Sequence, residues 1–112
     1  MEREKLEQGL AQFVGTEEWH KHQFGLKYTD GVKFLAENSG AYWLVDAIAS
    51  YQKKESFQLW TLTVTDRRAV LEMREDSDAP IIVQQNIEFT DFPLPEIKLY
   101  LVAGVLMLPS EY

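Results

Sequence analysis

Residues 28–52, YTDGVKFLAENSGAYWLVDAIASYQ, decide the fold class. Two helix-length patterns meet at Gly40. In the first, Val32, Leu35 and Ala36 recur at helical spacing, while Lys33 and Glu37 face away. Thr29 or Asp30 can accept hydrogen bonds from the first free amides, and Asn38-Ser39-Gly40 reads as a stop. The second pattern, Ala41–Gln52, is apolar over most of its circumference and should be the most buried helix. A carboxylate, Asp46, lies inside it. At about 100° per residue, Trp43, Asp46 and Ser50 share its narrow polar stripe.

Working back towards residue 1, Leu6, Leu10, Phe13 and Val14 form one stripe, which predicts an amphipathic helix over residues 2–14. Thr16-Glu17-Glu18 resembles a helix start, so a short helix through Trp19 and His22 is expected. On a helix, His20 and His22 point about 200° apart and cannot share an ion; in an extended segment they would share a face.

After Ser56 the period changes to two. Trp60, Leu62 and Val64 share one face of a strand over Phe57–Thr65, with Phe57 and Leu59 on the other. Asp66-Arg67-Arg68 is a turn, and Ala69, Leu71 and Met73 then alternate with Val70, Glu72 and Arg74. A polar loop, Glu75–Pro80, leads to a strand in which Ile81, Val83, Ile87 and Phe89 share a face. Asp91-Phe92-Pro93-Leu94-Pro95 cannot belong to a ladder, because its prolines lack donors. Ile97–Leu108 is either one long strand or a hairpin turned at Ala103-Gly104; the pattern leaves both open. Helices followed by consecutive strands imply an α+β fold. The expected architecture is N-terminal helices packed on one face of a four- or five-stranded antiparallel β-meander, within a single domain, residues 1–112.

The strings YTDGVKFLAE, GAYWLVDAIAS, TDFPLPEIKLYL and LPSEY, in that order, resemble a family of small bacterial proteins of unknown function. The resemblance runs from about Phe13 to Tyr112. It implies a bacterial origin and one compact domain, and brings no activity, cofactor or catalytic residue with it.

Composition narrows the function classes. The chain has 112 residues, 46% of them apolar, enough for one packed core without staples. It lacks cysteine, which excludes disulfides, thiolate zinc, iron–sulfur clusters and a cysteine nucleophile. The N-terminal segment MEREKLEQGL has no apolar signal region, and Leu99–Leu108 is about half a membrane span; a soluble cytoplasmic protein with no membrane contact is expected. The net charge of −7 is concentrated in residues 72–96, where seven acids face one base. Such a surface repels nucleic acid and attracts a basic protein.

No serine stands in a nucleophile elbow, no glycine loop cradles phosphate, and Glu75-Asp76-Ser77-Asp78 lacks the glycine and final glutamate of a calcium loop. No metal ligand set, cofactor site or catalytic residue is assigned. The reading therefore favours a small acidic non-enzymatic interaction module, inhibitor- or immunity-like in one version. Its partner is a basic protein or a second copy of the chain. Its candidate contact residues are Glu72, Arg74, Glu75, Asp76, Asp78 and Glu88. The alternative is a small-ligand or enzymatic site at Trp43, Asp46 and Ser50, with Trp43 as an exposed aromatic anchor.

Overall fold

The computed structural model describes residues 2–14, 19–23, 25–51 and 54–112. Its elements are α1 (Arg3–Leu10), β1 (Trp19–Lys21), β2 (Lys27–Thr29), α2 (Asp30–Ser39), α3 (Tyr42–Tyr51), β3 (Phe57–Thr65), β4 (Arg68–Arg74), β5 (Val83–Ile87), β6 (Glu96–Val102), β7 (Val105–Met107) and a 3-10 turn, Pro109–Glu111. The fold is α+β.

The helical half follows its local signals. The Thr29 hydroxyl accepts from the Val32 amide at 3.3 Å and Asp30 occupies the first turn of α2, so a cap and a charge both favour this start. Gly40 ends α2 at φ 67°, in the left-handed region where a side chain would be strained, and lets α3 begin two residues later. Leu44, Val45, Ile48 and Ala49 of α3 are buried, as their pattern predicts. Helix α1 is shorter than expected. Leu6 is buried and Leu10 and Phe13 pack against the core, but Val14 lies beyond the helix and is exposed.

The sheet differs from the expected antiparallel meander of four or five strands. It has seven strands in the order β1-β2-β7-β6-β3-β4-β5, and β2 pairs with β7 in parallel. Two causes account for the difference. First, the segment expected as a short helix is extended where described: Trp19–Lys21 is a strand, while residues 15–18 lie outside the described residues. Trp19 and Lys21 point outward and His20 and His22 are more buried, a period-two pattern in a stretch too short to announce itself. The β1–β2 hairpin therefore precedes α2, and the helices do not simply come before the strands.

Second, β3, β4 and β5 are consecutive antiparallel neighbours, but β6 returns to the far side of β3. The spatial order β6-β3-β4-β5 is a Greek key, not a meander. The connection carries buried Phe92 and Leu94 across the core, so its apolar residues are satisfied without joining a ladder. It is pinned by two hydrogen bonds, Thr90 N to Arg67 O and Val64 N to Pro95 O, each 2.8 Å. Strand β5 is thereby left at the edge. It is also shorter than expected: Ile81 and Phe89 lie outside it and are exposed. Beyond β6, the hairpin alternative is realised, with Ala103 and Gly104 at positive φ joining β6 to β7.

One face of the sheet carries the core. Trp60, 1% exposed, lies between Met73 and Leu99, and Leu62 between Leu71 and Ile97. Burying such side chains stabilises by roughly 1.5–3 kcal/mol each. The Trp60 indole donates to Gln58 Oε1 at 2.8 Å, which satisfies two polar groups inside the apolar layer. The opposite face displays Thr61, Thr63, Glu72, Gln84, Asn86 and Lys98 to solvent. No helix among the described residues is long and apolar enough to cross a membrane.

Candidate functional site

The polar side chains of the α3 stripe each have a partner within the fold. Asp46 Oδ1 lies 2.6 Å from Nε2 of His22, which is 8% exposed, while the Asp46 side chain is 53% exposed. Ser50 donates its proton to the Ala47 carbonyl at 2.6 Å, so the hydroxyl serves its own helix. Trp43 is half-buried and packs against the core rather than standing free as an anchor. The exposed indole is that of Trp19, with Lys27 Nζ 5.4 Å from its ring centre.

His20 makes a parallel arrangement. Its Nε2 is 2.7 Å from Asp30 Oδ1, and its ring stacks obliquely on Tyr28. The extended backbone puts both histidines on one side, yet each reaches a different carboxylate, one on α2 and one on α3. The pairs tie the segment around β1 to both helices. Among the described residues, no three His, Cys, Asp or Glu side chains gather around a position fit for an ion.

A third paired acid, this one buried, had no sequence signal. Glu111, 8% exposed, accepts from Thr29 Oγ1 at 2.6 Å, the Leu108 amide at 2.9 Å and the Gly31 amide at 3.3 Å. The residues after Pro109 are therefore docked, with a carboxylate at the start of α2 where the helix dipole and free amides favour one. Glycine at position 31 lets the carboxylate come this close: a Cβ would lie 2.5 Å from Glu111 Oε1 and 2.7 Å from Leu108 Cδ1, so one of them would have to shift. Tyr112 meets Phe57 and Tyr100 edge-on, at 5.7 and 5.5 Å between ring centres. These contacts belong to the scaffold.

The acidic candidates lie elsewhere. Glu72 and Arg74 are half-buried on the open sheet face, 3.9 Å apart, and Gln84 Nε2 donates to Glu72 at 3.3 Å. Glu75, Asp76 and Asp78 are exposed on the β4–β5 connection, where Asp76 Oδ1 accepts from the Ser77 amide and hydroxyl. Glu88 follows β5 and is exposed. It lines a shallow concavity of about 1010 Å³ with Thr63, Thr65, Asp66, Arg68 and Asn86. The structure thus carries Glu72, Arg74, Glu75, Asp76, Asp78 and Glu88 on β4, β5 and the residues next to them, and Trp43, Asp46 and Ser50 on α3. The sequence reading missed three apolar neighbours of those acids. Ile81, Ile82 and Phe89 are exposed, Phe89 by 68%. A strand expected to run from Ile81 through Phe89 hid this; β5 ends short of both.

The family model described as "Family of unknown function (DUF6876)" matches residues 4–112, and the chain belongs to that family. No curated protein and no solved structure matches it.

Proposed function

We propose that this member of DUF6876 is a small non-enzymatic interaction module that holds a basic protein partner. One observation carries the reading. Exposed acids stand beside exposed apolar side chains at both ends of the edge strand β5: Glu75, Asp76 and Asp78 with Ile81 and Ile82 before it, and Glu88 with Phe89 after it. Apolar groups supply contact area, and a rim of one charge sign selects and steers an oppositely charged partner. An inhibitor of a basic enzyme, or an immunity protein against one, is the concrete form of this role. The alternative, a ligand or enzymatic site at Trp43, Asp46 and Ser50, has weaker support, because the Asp46 carboxylate and the Ser50 hydroxyl already serve His22 and Ala47.

The test is selection of short random peptides displayed on phage. The expected result is enrichment of peptides rich in lysine and arginine. Their binding should weaken on the order of tenfold or more in the triple variant Glu75→Lys/Asp76→Lys/Asp78→Lys, and weaken with added salt. No enrichment, or binding indifferent to both changes, refutes the reading.

A further inference from the structure

We infer that the free edge of β5 is the contact itself. Its occupant is an extended segment of a basic protein, added as a further strand with lysine or arginine near both ends. The inference rests on the interaction reading above and specifies its geometry.

Alternate residues of an edge strand direct backbone N–H and C=O groups away from the sheet, a template for another strand. Strand β5 ends the sheet because the Greek-key connection carries the chain back to β3 instead of pairing β6 with β5. Sheet edges are ordinarily guarded by lysine, proline, inward charge or very short length. The opposite edge, β1, has three residues and ends in Lys21. Strand β5 reads Val-Gln-Gln-Asn-Ile and carries neither a charge nor a proline, and Gln84 and Asn86 are exposed. Its backbone is open to pairing.

The flanks specify the occupant. Glu75, Asp76 and Asp78 precede the strand, and Glu88 and Asp91 follow it, all exposed. Ile81 and Ile82 stand before it and Phe89 after it. The concavity beside Asn86 and Glu88 has two acids, Asp66 and Glu88, and one base, Arg68, on its wall. These features fit a segment with polar residues in its middle, opposite Gln84 and Asn86, and with apolar and cationic residues towards its ends.

A second copy of this chain fits worse. Antiparallel pairing of two β5 edges would set Glu75, Asp76 and Asp78 of one copy against Glu88 and Asp91 of the other; parallel pairing would set like ends together. Both juxtapose acids, which disfavours association.

The probe is the tightest lysine- or arginine-rich peptide from the phage selection, synthesised with one backbone nitrogen methylated at a time. Strand addition predicts an alternating pattern. Methylation at every second residue should cost on the order of tenfold or more in Kd, and the residues between should tolerate it. A charge-sensitive peptide with no such alternation overturns strand addition and leaves the interaction reading standing. If no peptide is enriched, both fall. Sedimentation equilibrium of the chain alone should show a monomer; a dimer that the peptide dissociates would overturn the choice of occupant.

Discussion

Replacing Glu111 by alanine tests how the turn after β7 holds the start of α2. The carboxylate accepts from Thr29 Oγ1, Leu108 N and Gly31 N, and it is almost wholly buried. Buried donors left without an acceptor cost about 1–3 kcal/mol each. Thr29 can turn its hydroxyl elsewhere and the 3.3 Å contact is the weakest, so a net loss of about 3 kcal/mol is expected. At about 2.1 cal/mol/K of unfolding entropy per residue, this lowers Tm by about 13 °C. Glu111→Gln keeps one acceptor oxygen and should lose about half as much. Gly31→Ala probes the same contact from the other side. Its Cβ would overlap Glu111 and Leu108, at a cost of about 1–3 kcal/mol. The two changes should not add, because removing the carboxylate removes much of the clash. Differential scanning calorimetry of both single variants and the double variant reads all three values. A Tm drop below about 3 °C for Glu111→Ala, or strict additivity in the cycle, refutes the reasoning.

Other expectations follow from single positions. Arg67 holds φ 63° in the two-residue β3–β4 turn beside Asp66 at φ 51°, a geometry that favours Asp-Gly; Arg67→Gly should raise stability by about 0.5–1 kcal/mol in denaturant melts, and a loss would contradict it. Asp46→Ala removes one partner of buried His22, and the carboxylate is half in water, so about 1 kcal/mol should be lost; an unchanged urea midpoint would show that the pair contributes nothing. Tyr42 should ionise above the ordinary tyrosine value of 10.0, because burial and then the nearby Glu37 carboxylate disfavour the phenolate. The folded chain holds this proton more tightly than the unfolded one, so the stabilisation is complete below pH 10 and fades as pH rises through the folded value. Spectrophotometric titration against Tyr42→Phe assigns the step, and an ordinary value for Tyr42 refutes the assignment.

What the sequence reveals depends on how local the signal is. The α2–Gly40–α3 unit was legible because cap, stop and periodicity all lie within its own residues. The faces of β3 and β4 were legible from alternation, which put Glu72 and Arg74 on the face opposite Ala69, Leu71 and Met73. Strand order was not, because pairing is decided between distant segments. Nothing within TDFPLPEIKLYL says that its strand joins β3 rather than β5, although Phe92 and Leu94 between prolines do mark a connection with side chains to bury. The segment Trp-His-Lys-His is too short for its period to be decisive. Asp46 was placed on a polar stripe from the helical projection, but its partner His22 is 24 residues away. Glu111 and Thr29, 82 residues apart, have no local signature at all. The acids of residues 72–96 were visible as charge; the apolar groups beside them emerged only when β5 proved to end at Ile87.

Amide hydrogen exchange of β5 bears most directly on the proposed recognition by this sheet edge. In the free chain, the outward-directed amides among Val83–Ile87 should exchange rapidly while their inward neighbours are slowed by pairing to β4. Adding the selected basic peptide should protect those outward amides on the order of tenfold or more and leave β1 unchanged. Protection confined to the open sheet face, or none within β5 at saturating peptide, would contradict the account.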